Sequence, residues 1–165
     1  MQPNFNVWRD QNGVPHVEAP DEGGTYQGQG YVHARDRGMQ LLLMRILGQG
    51  RASEFLDASD EMLAVDTFFR RMNWRGGAQD LIDALRPDDR RNLEAYCDGI
   101  NLGLQCQSPW EFRLLGYRPE PWRPEDTVLM VRMLGYLTLA QSESELERLY
   151  VEMLQARVPL DRLEE

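Results

Sequence analysis

Two histidines are the side chains of this sequence best suited to acid–base chemistry near neutral pH. A serine, threonine or cysteine nucleophile needs such a base within hydrogen-bond reach. His16 and His33 lie in unrelated local settings, and neither stands beside a nucleophile in the sequence. The sequence also lacks a His-x-x-x-His pair, a Cys-x-x-Cys pair and a glycine-rich phosphate loop. We therefore predict a structural or surface role for both histidines.

The two cysteines, Cys97 and Cys106, are nine residues apart in a segment whose pattern is helical. That spacing places them on opposite sides of a helix and about 13.5 Å apart along its axis. A disulfide requires Cα atoms within about 7 Å of each other. We therefore predict that the two thiols do not bridge each other, and we interpret both as small buried hydrophobes.

The composition predicts one globular domain that has neither a nucleic-acid partner nor a membrane-inserted segment. The chain has 165 residues, of which 42% are apolar, and its net charge of −9 disfavours anionic partners. No apolar run reaches the roughly 20 residues of a membrane helix, and the longest candidate, residues 128–140, is interrupted by Arg132. As it stands, the sequence shows no export signal. It predicts a cytoplasmic protein, or a periplasmic one if a leader was removed.

The elements predicted to position these side chains are a short hairpin over residues 5–19 and helices over residues 21–157. Asn12-Gly13 is a strong hairpin signal, because both residues tolerate positive φ. Pro87 and Pro124 are typical of first helical positions, and Asp60 is a plausible helix cap. The predicted helical segments are residues 31–47, 61–72, 87–106, 109–115, 124–140 and 143–157. We expect the helix over 124–140 to be buried, and the whole chain, 1–165, to form a single unit.

Ordered motifs extend along nearly the whole chain. They are Arg9-Asp10-x-x-Gly13-Val14-Pro15-His16, Gly30-Tyr31-Val32-His33-Ala34-Arg35-Asp36-Arg37-x-x-Gln40, Arg45, Gly50-Arg51-x-Ser53-Glu54, Asp66-x-x-x-Arg70, Tyr96-x-x-Gly99-Ile100-Asn101, Glu111-Phe112-x-x-Leu115-Gly116-Tyr117 and Pro119-Glu120-Pro121-Trp122-x-Pro124-Glu125-Asp126. In this order and at this spacing they resemble the light chain of the penicillin acylase family of N-terminal nucleophile amidohydrolases. As a set they are specific for the family and say little about the substrate.

The resemblance implies that no catalytic residue lies in this chain. The nucleophile would be the first residue, normally serine, of a heavy chain freed by autoproteolysis, with its own α-amino group as base. An amine with a pKa near 8 is partly neutral at pH 7 and can accept the hydroxyl proton. The reaction implied is hydrolysis of the amide between an acyl side chain and an amine such as a β-lactam nucleus or a homoserine lactone. The fold implied is an αββα sandwich completed by the heavy chain, with this chain mainly α.

The resemblance also implies an acyl pocket and a structural calcium near the last predicted helix. One register places Gly135, Thr138 and Leu139 at the pocket and makes Glu145 a calcium ligand. We prefer this register because Glu-Leu-x-Arg at residues 145–148 fits the family better. A shift by two residues would instead select Glu143 with Met133, Tyr136 and Leu137. Ordinary helix packing is the alternative role for the pocket residues.

Glu145 has a competing interpretation, because Ser142-x-x-Glu145 also matches a capping box at a helix start. A calcium site needs six to eight oxygens, so the heavy chain would have to supply the others. Small residues at the pocket would leave room for an extended apolar acyl chain. Arg35-Asp36-Arg37 is assigned to scaffold and interchain contact, since arginines pair well with carboxylates and carbonyls. The rival functions are a stand-alone helical protein-interaction module and a family-derived subunit without activity.

Overall fold

The structure is a computed structural model that describes the backbone of residues 4–156 and the side chains of residues 4–138, 144–153 and 155–156. It begins with an antiparallel hairpin of strands β1 (Asn6–Arg9) and β2 (Pro15–Glu18). The Asp10 carboxylate accepts hydrogen bonds from the amides of Asn12 at 2.8 Å and Val14 at 3.0 Å, which closes the connection. Gly13 has a φ of 80°, whereas Asn12 stays at negative φ. The hairpin prediction is confirmed, but only the glycine uses the left-handed region.

The rest of the described chain is helical, as the mainly α fold class with an N-terminal hairpin predicts. The helices are α1 (Glu22–Gly48), α2 (Ala52–Phe55), α3 (Asp60–Met72), α4 (Ala78–Asp83), α5 (Pro87–Cys106), α6 (Trp110–Leu114), α7 (Pro124–Gly135), a π-helical turn (Tyr136–Ala140) and α8 (Gln141–Gln155). Within the described residues, no helix is both long and apolar enough to cross a bilayer. The described chain divides into two compact units at residues 130 and 131. That all 165 residues act as one light-chain unit stays a prediction.

Two helix starts depend on side-chain caps. Helix α1 begins earlier than residue 31, because the Asp21 carboxylate accepts a hydrogen bond from Gly24 N at 2.7 Å. The predicted Asp60 cap is wrong. Ser59 has the extended backbone of a cap residue, and its hydroxyl accepts from Met62 N at 3.3 Å. Asp60 is instead the first helical residue, where its charge is favoured by the helix dipole.

Helices α1 and α5 cross in backbone contact. A Cβ atom added at Gly30 would lie 2.1 Å from the Tyr96 carbonyl oxygen. One added at Gly99 would lie 1.9 Å from the carbonyl oxygen of Gln27. Any side chain at either position would force the helices apart, so glycine sets the distance between them. Around this crossing lies the main core, which includes the fully buried residues Leu42, Ile46, Ile100 and Phe112.

The second unit differs from the sequence prediction in two ways. We expected a helix to end at residue 140 and a new one to begin at 143. Instead, the helical turns continue from Tyr136 through Gln155, with a π-helical turn before α8. We also expected burial all round the 124–140 helix, but Val131 is 64% exposed and Leu134 is 49% exposed. The apolar face of α8 is exposed as well, at Leu146, Leu149, Tyr150 and Val151.

Candidate functional site

Arg45, on α1, is the charged group at the centre of a buried polar network in the first unit. Its side chain is 2% exposed. One terminal nitrogen donates to the Glu120 carbonyl oxygen at 3.1 Å and to Asp126 Oδ2 at 3.4 Å. The other donates to Tyr117 Oη at 3.1 Å, and the guanidinium lies 5.3 Å from the centre of the Trp122 ring. Arg45 thus joins α1 to residues 116–122, which we call the proline-rich segment, and to the first turn of α7.

The Asp126 carboxylate is equally buried and accepts two further hydrogen bonds. It accepts a hydrogen bond from Gln49 Nε2 at 3.1 Å and one from the Arg123 amide at 3.1 Å. The second bond caps the start of α7. Asn101, on α5, exchanges two hydrogen bonds with the backbone of Trp122, at 3.0 and 2.7 Å. The proline-rich segment is therefore fixed from both α1 and α5.

A second buried carboxylate, Asp66 on α3, caps the short helix α2. It accepts hydrogen bonds from the amides of Ala52 at 2.7 Å and Ser53 at 2.9 Å, and from the Ser53 hydroxyl at 2.5 Å. Burial acts to raise the pKa of this carboxyl. The hydrogen bonds from Ser53 and Ala52 outweigh that effect, so the pKa lies below its ordinary value. One turn later, Arg70 Nε donates to the Gly50 carbonyl oxygen at 2.8 Å.

These hydrogen bonds connect residues from several of the sequence motifs to distant segments of the chain. Arg45, Asp66, Asn101 and Asp126 come from separate motifs, and each of them bonds to a distant segment. Arg45, Asp66 and Asp126 are buried, Asn101 is half-buried, and all four are hydrogen-bonded to protein groups. Their arrangement holds loops and helix starts in place. This network is scaffold, and sequence reasoning did not identify which residue pairs form it.

Each histidine contacts an aromatic side chain. The His16 ring stacks on Trp8, with centroids 4.0 Å apart and planes 4° from parallel. His33 Nδ1 shares a hydrogen bond of 2.9 Å with Tyr96 Oη. Burial lowers the pKa of His33 and outweighs the opposing effect of nearby Asp36, so the ring is neutral at pH 7. Both histidines therefore have packing roles within the described part of the chain.

The cysteines lie on the same helix, α5, and both are free thiols, as predicted. Cys97 is buried, and this burial raises the pKa of its thiol to about 12, so it remains protonated and unreactive at neutral pH. Cys106 is exposed. The prediction that both are buried hydrophobes is therefore wrong for Cys106, because the last turn of α5 faces an open cleft lined by Arg35 and Cys106.

The predicted pocket residues flank the π-helical turn. Gly135 ends α7, and no heavy atom outside its own helix lies within 4 Å of the position of a Cβ. Thr138, in the turn, donates its hydroxyl hydrogen to the Leu134 carbonyl oxygen at 2.6 Å. The side chain of Leu139 lies outside the described residues. Single π-helical turns are frequent at functional sites, because the extra residue redirects side chains. Pocket formation by these residues stays a prediction.

The structure also describes three of the four side chains that the shifted register selects. Met133 is buried, Tyr136 is partly buried and Leu137 is 38% exposed, whereas the side chain of Glu143 is outside the described residues. The burial of these side chains does not favour one register over the other.

The predicted calcium ligand, Glu145, is exposed on α8. Residues 141–155 form one continuous helix that follows the π-helical turn directly. Ser142 is therefore not at a helix start, and the capping-box alternative is wrong. Among the described residues, no three His, Cys, Asp or Glu side chains are grouped closely enough to hold a metal ion. One carboxylate fits a calcium site only if oxygens from another chain complete it.

Comparison with known proteins places these features in a family. The model of the family described as "Penicillin amidase" matches residues 4–165. The acyl-homoserine lactone acylase QuiP of Pseudomonas syringae pv. syringae is 35% identical over 163 residues, which is 97% of this chain and 19% of that protein. Penicillin acylase 2 proenzyme of Pseudomonas sp. strain SE83 is 38% identical over 133 residues, which is 79% of this chain and 17% of that protein. The chain thus spans about one fifth of the length of the curated relatives it matches.

A solved structure gives a match over most of both chains. In the structure of the thermostable penicillin G acylase from Alcaligenes faecalis, one chain matches with a TM-score of 0.73 and 28% identity. The match covers 94% of this chain and 83% of that chain. The matched polypeptide is therefore only slightly longer than this one, although the curated relatives are about five times as long.

Proposed function

The chain belongs to the penicillin amidase family, and we propose that it is the light chain of a two-chain amidohydrolase. The observation that carries the proposal is the contrast in coverage. The chain spans 19% of the length of a curated relative but 83% of the matched chain in the solved acylase. A boundary that separates a light chain from a heavy chain explains both values. The αββα sandwich would then be completed by the heavy chain.

The side-chain inventory of the described residues supports catalysis elsewhere. Ser53 Oγ donates to Asp66, a carboxylate that also accepts two backbone amides and caps α2, and Cys97 Sγ and Thr127 Oγ1 face each other at 3.6 Å, so these groups are engaged in structural contacts. A serine at the start of the heavy chain, with its own α-amino group as base, would supply both the nucleophile and the proton acceptor. Attack on an amide carbonyl would form an acyl-enzyme and release the amine, and water would then release the acid. The oxyanion would be held by donors of the heavy chain.

The contribution of this chain to the substrate site would be one wall of the acyl pocket. Gly135, Thr138 and Leu139 are proposed to face the acyl group. The open space beside Gly135 supports this, since a residue without a side chain there leaves room for substrate. We expect an extended apolar acyl chain to be preferred. The amine would be a penicillin-type β-lactam nucleus or a homoserine lactone, in keeping with the names of the relatives.

A structural calcium would use Glu145 as its ligand from this chain. The exposure of Glu145 on α8 supports this assignment, because an exposed carboxylate is accessible to a second chain. The remaining five to seven oxygens would come from the heavy chain and from water. The metal would hold the two chains together and would take no part in the chemical step.

The test uses the complete protein produced from its full reading frame. Intact mass spectrometry should show this light chain and a larger chain that begins with serine. Release of free amine is then measured from penicillin G, penicillin V and acyl-homoserine lactones of different lengths. A variant with alanine in place of the heavy chain's first serine should release none. A lone species of the light chain's mass would overturn the proposal, and two chains without amine release would identify an inactive subunit.

The acyl preference is tested on the same preparation. Medium-chain acyl amides should be hydrolysed faster than phenylacetyl amides. The pocket assignment fails if phenylacetyl amides are the fastest substrates and medium-chain amides are not hydrolysed measurably.

A further inference from the structure

An extended groove on the surface of the first unit has no role in the proposed chemistry. It is a groove made of two adjoining clefts, of about 600 and 570 Å³, that share Arg35 and Cys106 as lining residues. The first cleft has an apolar floor of Phe5, Tyr31 and Leu102 beneath the hairpin. The second continues past Gly38 to Trp110 on α6. We call this feature the α1–α5 groove, since these two helices form its base.

We infer that the α1–α5 groove is covered by a segment of the heavy chain that places an apolar side chain on the floor and a carboxylate on Arg35. This inference rests on the proposed function, which supplies the second chain. It goes further by assigning the surface and the chemistry of the segment that covers it.

Exposed aromatic side chains at both ends of the groove are the first argument. Trp8 is 49% exposed and Trp110 is 65% exposed. One face of the Trp8 ring is covered by the stacked His16 ring, so the other is free to contact a partner. Next to Trp110, Leu114 is 79% exposed. Large apolar patches of this kind mark protein interfaces, and tryptophan is enriched in the residues that dominate binding energy.

The charge of Arg35 is the second argument. Within residues 4–156, its guanidinium has no ion pair or hydrogen bond, whereas Arg9 is paired with Asp36 at 2.5 Å on the same rim. A free arginine above an apolar floor favours a carboxylate that can bond to it through both oxygens. The chain as a whole is acidic, with a net charge of −9, so a second copy would be repelled in general.

The length of the relatives is the third argument. The curated relatives contain about four fifths of their length beyond the region that this chain matches. A partner of that size, synthesised as part of the same polypeptide, is present at a very high effective concentration while the protein folds. The heavy chain is therefore the first partner available to bind in the groove.

Cys106 provides a test on the unmodified protein. In the assembled protein, Cys106 should be protected from a small alkylating reagent at pH 8, although this chain by itself leaves it exposed. Buried Cys97 is the internal control and should react only after unfolding. Alkylation is located by peptide mass spectrometry, and native mass spectrometry of the same sample counts the chains. Two chains with a reactive Cys106 would overturn the groove assignment and leave the proposed function standing, whereas a single chain would overturn both.

Photo-cross-linking identifies the occupant. p-Benzoylphenylalanine at position 8, in place of Trp8, should cross-link to one heavy-chain peptide that contains Asp or Glu. A cross-link to another copy of this chain, or none at all, would contradict the inference.

A charge-reversal pair tests the carboxylate. Arg35→Glu should speed separation of the two chains in urea by about tenfold or more, because like charges would then meet in the groove. Arg37→Glu is the matched control, since Arg37 is also exposed but does not line the groove, and it should leave the rate unchanged. Equal effects of the two variants would show that Arg35 has no specific carboxylate partner.

Discussion

Residues 4–130 and residues 131–156 differ in which side chains they bury and which they leave exposed to solvent. In the first region, the buried charged groups Arg45, Asp66 and Asp126 are hydrogen-bonded within the chain. In the second region, apolar side chains remain open to solvent, and Leu146 is 65% exposed. The first region has the features of a scaffold whose buried charges are neutralised within the chain, although the α1–α5 groove lies open on its surface. The second has an exposed apolar helix face, and this is where the substrate and calcium residues are proposed to lie.

The largest effect is expected from removing one partner of the buried ion pair. Asp126→Ala leaves the Arg45 guanidinium buried without a counter-charge, so the free energy of unfolding should fall by about 3–5 kcal/mol. Urea unfolding of the complete protein measures this. Asp88→Ala is the control, because Asp88 pairs with Arg91 on the surface and its side chain is 74% exposed. Equal losses for the two variants would contradict the description of residues 4–130 as a scaffold held by buried pairs.

A methyl group at the helix crossing should have the next largest effect. Gly99→Ala places a Cβ 1.9 Å from a backbone oxygen, and the overpacking should cost about 1–3 kcal/mol or more. Gly135→Ala is the matched substitution in the second region, where no atom is close. It should stabilise the helix by about 0.5–1 kcal/mol. Thermal unfolding of both variants, in the same complete protein, would show opposite shifts if the contrast between the regions is correct.

The Asp66 cap should contribute a smaller, pH-dependent amount. Asp66→Ala removes the acceptor of two amides and one hydroxyl and should cost about 1–3 kcal/mol at pH 7. The pKa of this carboxyl is lower in the folded state than in the unfolded state, where it is about 3.9. Its stabilisation is therefore complete above that value and is lost as the pH falls through the folded pKa. The difference between wild type and variant should shrink as the pH falls from about 4 towards the folded pKa of Asp66, and a constant difference would contradict this.

The smallest effect is expected at the calcium candidate. Glu145→Gln should leave the unfolding midpoint of metal-free protein unchanged, because the side chain is exposed. With calcium present, the wild type should unfold at a higher temperature than the variant, and a chelator should remove the difference. Glu147→Gln, two residues along the same exposed helix, should behave like the wild type. Loss of the calcium effect in both variants would argue against a specific ligand at Glu145.

Local signals predicted the elements well, because the residues that specify them are close in sequence. The hairpin follows from Gly13, and the starts of α5 and α7 follow from Pro87 and Pro124. The Ser59 cap was missed in favour of Asp60, since both residue types favour that position and only the backbone geometry separates them.

Long-range pairing could not be predicted from local patterns. Asp66 and Arg70 were recognised as a motif, yet nothing near them indicates that their partners are Ala52, Ser53 and Gly50. The π-helical turn was missed for a related reason. Its sequence, Tyr-Leu-Thr-Leu-Ala, is compatible with an ordinary helix, and no residue in it requires the extra backbone unit.

The Arg45–Asp126 pair has a consequence for biosynthesis. The two residues are 81 positions apart, so at typical elongation rates Asp126 is made roughly 4–16 s after Arg45. During that interval the nascent α1 has a cation at a position that is buried in the finished structure, and its counter-ion has not yet been made. The core around α1 therefore closes late, when the proline-rich segment arrives, and not helix by helix as the ribosome advances.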